Sequence, residues 1–148
     1  MYVLYSFGQY IEEDYIRLKF GEFSGRIIFL VFYLINIIMA NLPTFIKHQN
    51  NPIFSSVGAS GAVSGIIFIF ILLHPWKMIG LFFVLDIPAV ILGIIYLIYS
   101  SWAANKEQGR IDHSAHFAGA IAGMLMIFIL DRQIAGDFIH RLIADFPL

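Results

Sequence analysis

The sequence predicts an all-α protein embedded in a membrane, with four complete transmembrane helices and one partial helix at its N-terminus. Of its 148 residues, 59% are hydrophobic and only 13% are charged, and the mean hydropathy is +0.81. A typical soluble domain is about half apolar and about a quarter charged. We therefore expect the lipid bilayer to surround a single domain over residues 1–148, with its core at about 4–130 and a cytoplasmic tail at 131–148.

The partial helix is the first segment of the chain. Its apolar residues run to Ile11, whereas crossing a bilayer takes about 20. It also lacks the basic head and the small-residue cleavage site of a signal peptide. We expect a domain truncated at its N-terminus. Residues 12–21 are charged and end in a glycine, which predicts a loop or an interfacial turn.

Four apolar runs supply the complete helices. Pro43 predicts the end of the first run, and Pro88 predicts a kink within the third. Asp86, in the same run, could mark an ion path, but a satisfied or interfacial carboxylate is the favoured interpretation. The runs are 26–42, 58–73, 78–102 and 115–130.

The tail that follows predicts an amphipathic surface helix. Its apolar side would hold Phe138, Leu142, Ile143 and Phe146. The tail therefore adds no further membrane span.

Basic residues indicate the orientation of the bundle. With residues 11–26 on the cytoplasmic side, that side carries six of them: Arg17, Lys19, Arg26, Lys77, Arg132 and Arg141. The other side carries three: Lys47, Lys106 and Arg110. Because short cytoplasmic loops are enriched in Lys and Arg, this orientation is favoured. We expect a multi-pass protein, in the cell membrane if the source is bacterial.

Charge and cysteine content exclude other classes of protein. The net charge is −1, and no basic patch is present, so nothing favours a nucleic-acid partner. The chain has no cysteine, which excludes disulfides and thiolate metal sites.

Two of the predicted helices are short for a bilayer. Runs 58–73 and 115–130 have 16 residues each, or about 24 Å of helix against a hydrocarbon core of about 30 Å. Both would begin below the non-cytoplasmic surface. Irregular backbone at that depth requires surrounding protein or water, so we expect a wet cavity where they start.

Each short helix begins with a reactive side chain, Ser60 on one and His116 on the other. An imidazole within hydrogen-bond reach activates a serine hydroxyl as a nucleophile. Free backbone N–H groups at a helix start can stabilise the oxyanion that results. A serine among small residues in a membrane helix is equally explained as a packing device.

Glycines at i and i+4 give both helices a narrow face. They are Gly61 and Gly65 on one helix and Gly119 and Gly123 on the other. Close packing of these faces would bring Ser60 and His116 together. Taken alone, the glycine spacing favours a packing role and nothing more.

Residues 58–62, Gly-Ala-Ser-Gly-Ala, and 115–123, Ala-His-Phe-Ala-Gly-Ala-Ile-Ala-Gly, together resemble the rhomboid family of intramembrane serine proteases. The similarity extends over nearly the whole chain, from about Leu4 to Leu130. It implies a rhomboid-like helical bundle that cuts other membrane proteins within or near their transmembrane segments.

The resemblance also implies residue roles. Ser60 would be the nucleophile, with its own N–H as an oxyanion donor, and His116 the general base and then the general acid. Gly58 and Gly61 would shape the approach to the serine. Two features depart from the family pattern. The upstream His and Asn that supply oxyanion donors are absent from the chain, and Ser64 stands where many members have an aromatic ring packed on the histidine.

Other interpretations remain open. Ser64 is a rival nucleophile by spacing, but it lies one turn beyond the free donors of the helix start. His113 and His116 have a metal-ligand spacing, yet no Cys or Glu lies nearby in sequence, so we expect no metal and no cofactor. A rhomboid-like pseudoprotease that binds membrane clients without cleavage is one alternative, and a transporter or channel fragment is another. The sequence does not define the oligomeric state.

Overall fold

A computed structural model describes residues 2–51, 59–81, 85–104, 106 and 112–146. These residues are helical for the most part, which confirms the predicted fold class in outline. The elements in chain order are α1 (Tyr2–Ile11), a π-helical turn (Glu12–Ile16), α2 (Arg17–Phe20), α3 (Glu22–His48), α4 (Ser60–Leu73), strands β1 (Met78–Leu81) and β2 (Leu85–Pro88), α5 (Ala89–Ala104), α6 (His113–Leu130) and α7 (Gln133–Ala144).

Among the described residues, two helices are long and apolar enough to cross a membrane. They are α3 with 27 residues and α6 with 18. Helices α4 and α5 are apolar but have only 14 and 16 residues. Four complete spans are therefore not confirmed by helix length and composition.

Helix α4 lies at the centre of the bundle and packs against α1, α3, α5 and α6. Its apolar side chains are buried nearly all round, with Ile66 fully buried and Phe70 only 2% exposed. The Phe7 ring of α1 packs edge-on against Phe70 at 4.8 Å between centroids. A helix that is apolar on every side is expected in such a position. By contrast, α3 exposes many large apolar side chains, including Leu30, Leu34 and Ile38.

The charged segment before α3 is helical, so the predicted loop is wrong. The chain remains helical through Phe20 and breaks only at Gly21, which has a φ of +82°. Glycine adopts this conformation without the steric cost that a Cβ would bring.

Pro43 lies inside α3 and does not end it, so this prediction is also wrong. The turn after the proline is held by a tertiary contact. Thr44, only 4% exposed, donates a hydrogen bond from Oγ1 to Asp112 Oδ1 at 3.0 Å. Packing of this kind can override the loss of one helical hydrogen bond.

The largest correction concerns the start of the run 78–102, for which the sequence predicts a helix kinked at Pro88; residues 78–81 and 85–88 are strands. They form an antiparallel pair in which Met78 faces Pro88 and Gly80 faces Asp86. A proline disfavours the helical conformation in the residue before it, here Ile87, so the helix starts after Pro88. Asp86 consequently lies exposed on a strand and not within a membrane helix.

The predicted tail helix exists as α7, although its buried side differs in part from the prediction. Ile134 is 2% exposed and Phe138 packs against the core, whereas Ile143 is 75% exposed. Arg141 of α7 donates from Nη1 to the Leu73 carbonyl at 2.9 Å, which ties the helix to the end of α4.

A polar cluster joins the π-helical turn to the α6–α7 junction. Tyr15 donates from its hydroxyl to Asp131 Oδ2 at 2.8 Å, Lys19 pairs with the same oxygen, and the Gln133 N–H donates to Oδ1 at 3.0 Å. The bonds from Lys19 and Tyr15 lower the pKa of Asp131 to about 2. Burial and the bond to Asp131 raise the pKa of Tyr15. We call this end of the bundle, where Lys19 and Arg141 lie, the basic end.

Candidate active site

The glycine faces of α4 and α6 lie directly against each other. A Cβ built on Gly119 would stand 1.9 Å from the Gly61 carbonyl oxygen, and one on Gly123 would stand 2.6 Å from the Gly65 Cα. Real Cβ atoms essentially never approach within 3.0 Å. The two backbones are thus in contact at positions where any larger residue would force them apart.

This contact brings the two candidate catalytic side chains together at the end of the bundle opposite the basic end. Ser60 is the first residue of α4 and is exposed, and His116 lies in the first turn of α6. The distance from Ser60 Oγ to His116 Nε2 is 2.8 Å. With the neutral imidazole protonated at Nδ1, the hydroxyl donates to Nε2, which is the arrangement that a general base requires.

The start of α6 is fixed by an N-cap. Asp112 accepts a hydrogen bond from the Ala115 N–H at 2.9 Å through Oδ1, and the same oxygen accepts from Thr44 Oγ1. Aspartate is among the preferred N-cap residues. The cap connects α3 to α6 four residues before His116. It thereby fixes the position of His116 in the first turn of α6.

An aromatic residue of α5, Tyr96, lies beside His116. The Tyr96 ring of α5 stacks on the imidazole with centroids 6.3 Å apart and an interplanar angle of 23°. The Tyr96 hydroxyl lies 2.6 Å from Ser64 Oγ. Sequence reasoning missed Tyr96, although two polar groups within neighbouring apolar helices, Ser64 and Tyr96, were a signal that they could pair.

Ser64 and His113 are neighbours of the Ser60–His116 pair. Ser64 is 3% exposed and donates to the Ser60 carbonyl oxygen at 3.2 Å. The His113 ring stands edge-on to His116, with centroids 6.1 Å apart at 84°, and edge-on to Tyr99 at 5.3 Å. No group of three or more His, Asp or Glu side chains that could hold a metal ion occurs within the described ranges.

A buried asparagine on α3 supports the glycine contact. Asn36 is 1% exposed and donates from Nδ2 to the Ala62 carbonyl oxygen at 3.0 Å. A Cβ on Gly65 would collide with the same Nδ2 at 1.8 Å. Asn36 thereby connects α3 to α4 one turn below Ser60.

The structure brings together Ser60, His116 and the four glycines Gly61, Gly65, Gly119 and Gly123. Gly58, the remaining predicted site residue, lies outside the described residues. The catalytic roles of these residues stay predictions.

The fold and its paired side chains define a class of protein, a bundle of apolar helices with a serine and a histidine hydrogen-bonded at one end. A family model described as "Rhomboid domain" matches residues 1–133. The chain therefore belongs to the rhomboid family, as the sequence motifs predicted, and is a membrane protein of that family.

Two relatives from Arabidopsis thaliana are similar to parts of the chain. "Rhomboid-like protein 11, chloroplastic" is 27% identical over 144 residues, which cover 89% of this chain and 46% of the relative. "RHOMBOID-like protein 12, mitochondrial" is 38% identical over 64 residues, which cover 43% of this chain and 19% of the relative. The chain thus spans less than half the length of either relative. No solved structure matches it significantly.

Proposed function

We propose that the chain is an intramembrane serine endopeptidase that cleaves transmembrane or juxtamembrane segments of other membrane proteins. The supporting observation is the 2.8 Å contact between Ser60 Oγ and His116 Nε2 at the start of two apolar helices. Because Ser60 is exposed, a peptide carbonyl can reach its hydroxyl.

The chemistry would follow acyl transfer. His116 Nε2 takes the proton of Ser60 as Oγ attacks the scissile carbonyl carbon, and a tetrahedral oxyanion forms. His116 then gives that proton to the leaving amine, and the C–N bond breaks to leave an ester on Ser60. Water, deprotonated by His116, hydrolyses the ester and restores the hydroxyl.

Stabilisation of the oxyanion would come from the beginning of α4. The first N–H groups of a helix lack intrahelical acceptors and carry partial positive charge. The N–H of Ser60 is the proposed donor. Gly58 would shape the approach of the substrate to the serine, and Gly61 would shape the site by letting α4 pack against Ala115 of α6.

The charges support an orientation for this site. Lys19, Lys77 and Arg141 all lie at the basic end, where Lys77 Nζ sits 3.7 Å from the centre of the Tyr10 ring and Arg141 holds the end of α4. If that end is cytoplasmic, as the positive-inside rule favours, the Ser60–His116 pair opens on the non-cytoplasmic side. Water for deacylation would enter from there.

The test is cleavage of a transmembrane substrate by the 148-residue chain in proteoliposomes. A fluorogenic substrate with one apolar span should be cut by the parent chain, whereas Ser60→Ala and His116→Ala should lose about 10³-fold or more of the rate. Ser24→Ala, an exposed serine on α3 far from the pair, is the matched control and should retain full activity. Substrate binding without cleavage by the parent chain would contradict the proposal and favour a pseudoprotease.

A further inference from the structure

Contacts among α4, α5 and α6 form a closed circuit of four residues that includes His116. Ser64 donates to the Ser60 carbonyl oxygen at 3.2 Å, so its own hydroxyl proton is used. The Tyr96 hydroxyl lies 2.6 Å from Ser64 Oγ, in a hydrogen bond where either hydroxyl can be the donor. With the Ser64 proton on the Ser60 carbonyl oxygen, Tyr96 is the donor. The Tyr96 ring in turn stacks on the imidazole of His116, whose Nε2 returns to Ser60 Oγ.

We propose that Tyr96 is a positioning residue for His116 and that Ser64 is the anchor that holds Tyr96 in place. The inference rests on the proposed protease function for its effect on rate. The ring contact itself is a structural claim, and it can be tested without any catalysis.

The physical reason lies in the freedom of the imidazole. The χ2 torsion of histidine has a broad, shallow energy preference, so the torsion by itself holds the ring orientation only weakly. A ring stacked at 23° on one face blocks rotation toward that side, and His113, at 84° to the imidazole, contacts it from another direction. Nε2 is thereby kept aimed at Ser60, where a displacement of about 1 Å can cost about 100-fold in rate.

The Ser64 anchor gives the stack a fixed position. Tyr96 sits on α5, which makes far fewer contacts with α4 than α6 does. The hydrogen bond from Tyr96 to Ser64 connects the two helices at the level of the catalytic pair. The same bond engages the Ser64 hydroxyl, which is 3% exposed, and this argues against Ser64 as a nucleophile.

Kinetics of three α5 and α4 variants test the effect on rate. Tyr96→Leu removes the ring, and kcat should fall about 10- to 100-fold with KM unchanged, because the proposed role of Tyr96 is to orient His116 and not to bind substrate. Tyr96→Phe keeps the ring and should restore kcat to within about threefold. Ser64→Ala, which breaks the same hydrogen bond and also keeps the ring, should match Tyr96→Phe. Tyr33→Leu, which removes another half-buried tyrosine ring from α3, is the control for lost packing and should leave kcat unchanged.

An NMR measurement tests the contact independently of activity. With the imidazoles isotopically labelled, the His116 ring protons should carry a ring-current shift from the neighbouring aromatic ring in the parent chain and in Tyr96→Phe. The shift should disappear in Tyr96→Leu. An unchanged His116 shift in a folded Tyr96→Leu variant, or a fall in kcat in Tyr96→Phe as deep as in Tyr96→Leu, would overturn the inference. A normal ring shift in a parent chain that cleaves nothing would instead refute the proposed function alone.

Discussion

Replacing Gly119 by alanine should separate α4 from α6 and weaken the hydrogen bond between Ser60 and His116. The new Cβ would lie 1.9 Å from the Gly61 carbonyl oxygen, whereas ordinary van der Waals contact begins at 3.4 Å. The atom it meets is backbone, so no side-chain rotation relieves the clash. To relieve the clash, the backbones of α4 and α6 must move apart locally by about 1.5 Å.

The cost follows from two opposing effects. Overpacking a tightly packed contact typically costs about 1–3 kcal/mol. Alanine is a better helix former than glycine by about 1 kcal/mol, which offsets part of that cost. We expect a net loss of up to about 2 kcal/mol in the free energy of unfolding. Because Gly61 adjoins Ser60, the same movement lengthens the 2.8 Å bond to His116, and a displacement above about 1 Å should slow serine modification about 100-fold.

Gly136→Ala in α7 is the matched control, since a Cβ there meets nothing within 4 Å. It should be neutral or gain up to about 1 kcal/mol from helix propensity. Reversible unfolding in bicelles gives the free energies, and the rate of labelling by a fluorophosphonate probe reports the reactivity of Ser60. Equal stability and equal labelling rates for Gly119→Ala and Gly136→Ala would refute the argument that backbone contact at Gly119 sets the site.

Three further variants test the supporting contacts. Because the folded-state pKa of Asp131 is about 2, below its ordinary 3.8, its stabilisation should be complete above that ordinary value and vanish as the pH falls through about 2. The unfolding free energy of Asp131→Asn should lack this dependence, and identical pH profiles for the two chains would contradict it. Asn36→Ala, which removes the bond to the Ala62 carbonyl, should lower the unfolding free energy by about 0.6–2 kcal/mol, as transmembrane hydrogen bonds do. Thr44→Val, which removes the donor to Asp112, should cost about 1 kcal/mol and slow probe labelling several-fold; labelling at the parent rate would show that this contact does not orient α6.

The contact between α4 and α6 could largely be predicted from the sequence, because the glycines and the reactive side chains lie close together along each helix. Glycines spaced four apart on two apolar helices permit a close backbone approach, which the structure shows between Gly61 and Gly119. The reactive side chains stand next to those glycines, at the helix starts. Knowledge of that contact is enough to place Ser60 near His116.

Elements determined by tertiary contacts were not predictable in the same way. A proline usually ends a helix, yet α3 continues past Pro43 because Thr44 is held by a residue far along the chain. The run 78–102 is apolar apart from Asp86 and two serines near its end. Hydropathy does not distinguish a strand pair from a helix in such a run. Pro88 is compatible with either a kink or a helix boundary, and in the structure α5 begins directly after it.

Tyr96 shows the same limit within the site. At the sequence level, Ser64 indicated a missing aromatic neighbour for His116. The structure shows that an aromatic ring reaches His116 from α5, a helix whose rotation no local motif specifies.

The identity of the serine that reacts tests the account most directly. The parent chain should be treated with a fluorophosphonate probe, digested, and the modified peptide sequenced by mass spectrometry. We predict a single adduct on Ser60, formed in the parent chain and in Ser24→Ala and absent from Ser60→Ala and His116→Ala. An adduct on Ser64, or undiminished labelling of His116→Ala, would contradict the assignment of Ser60 and His116 as a catalytic pair.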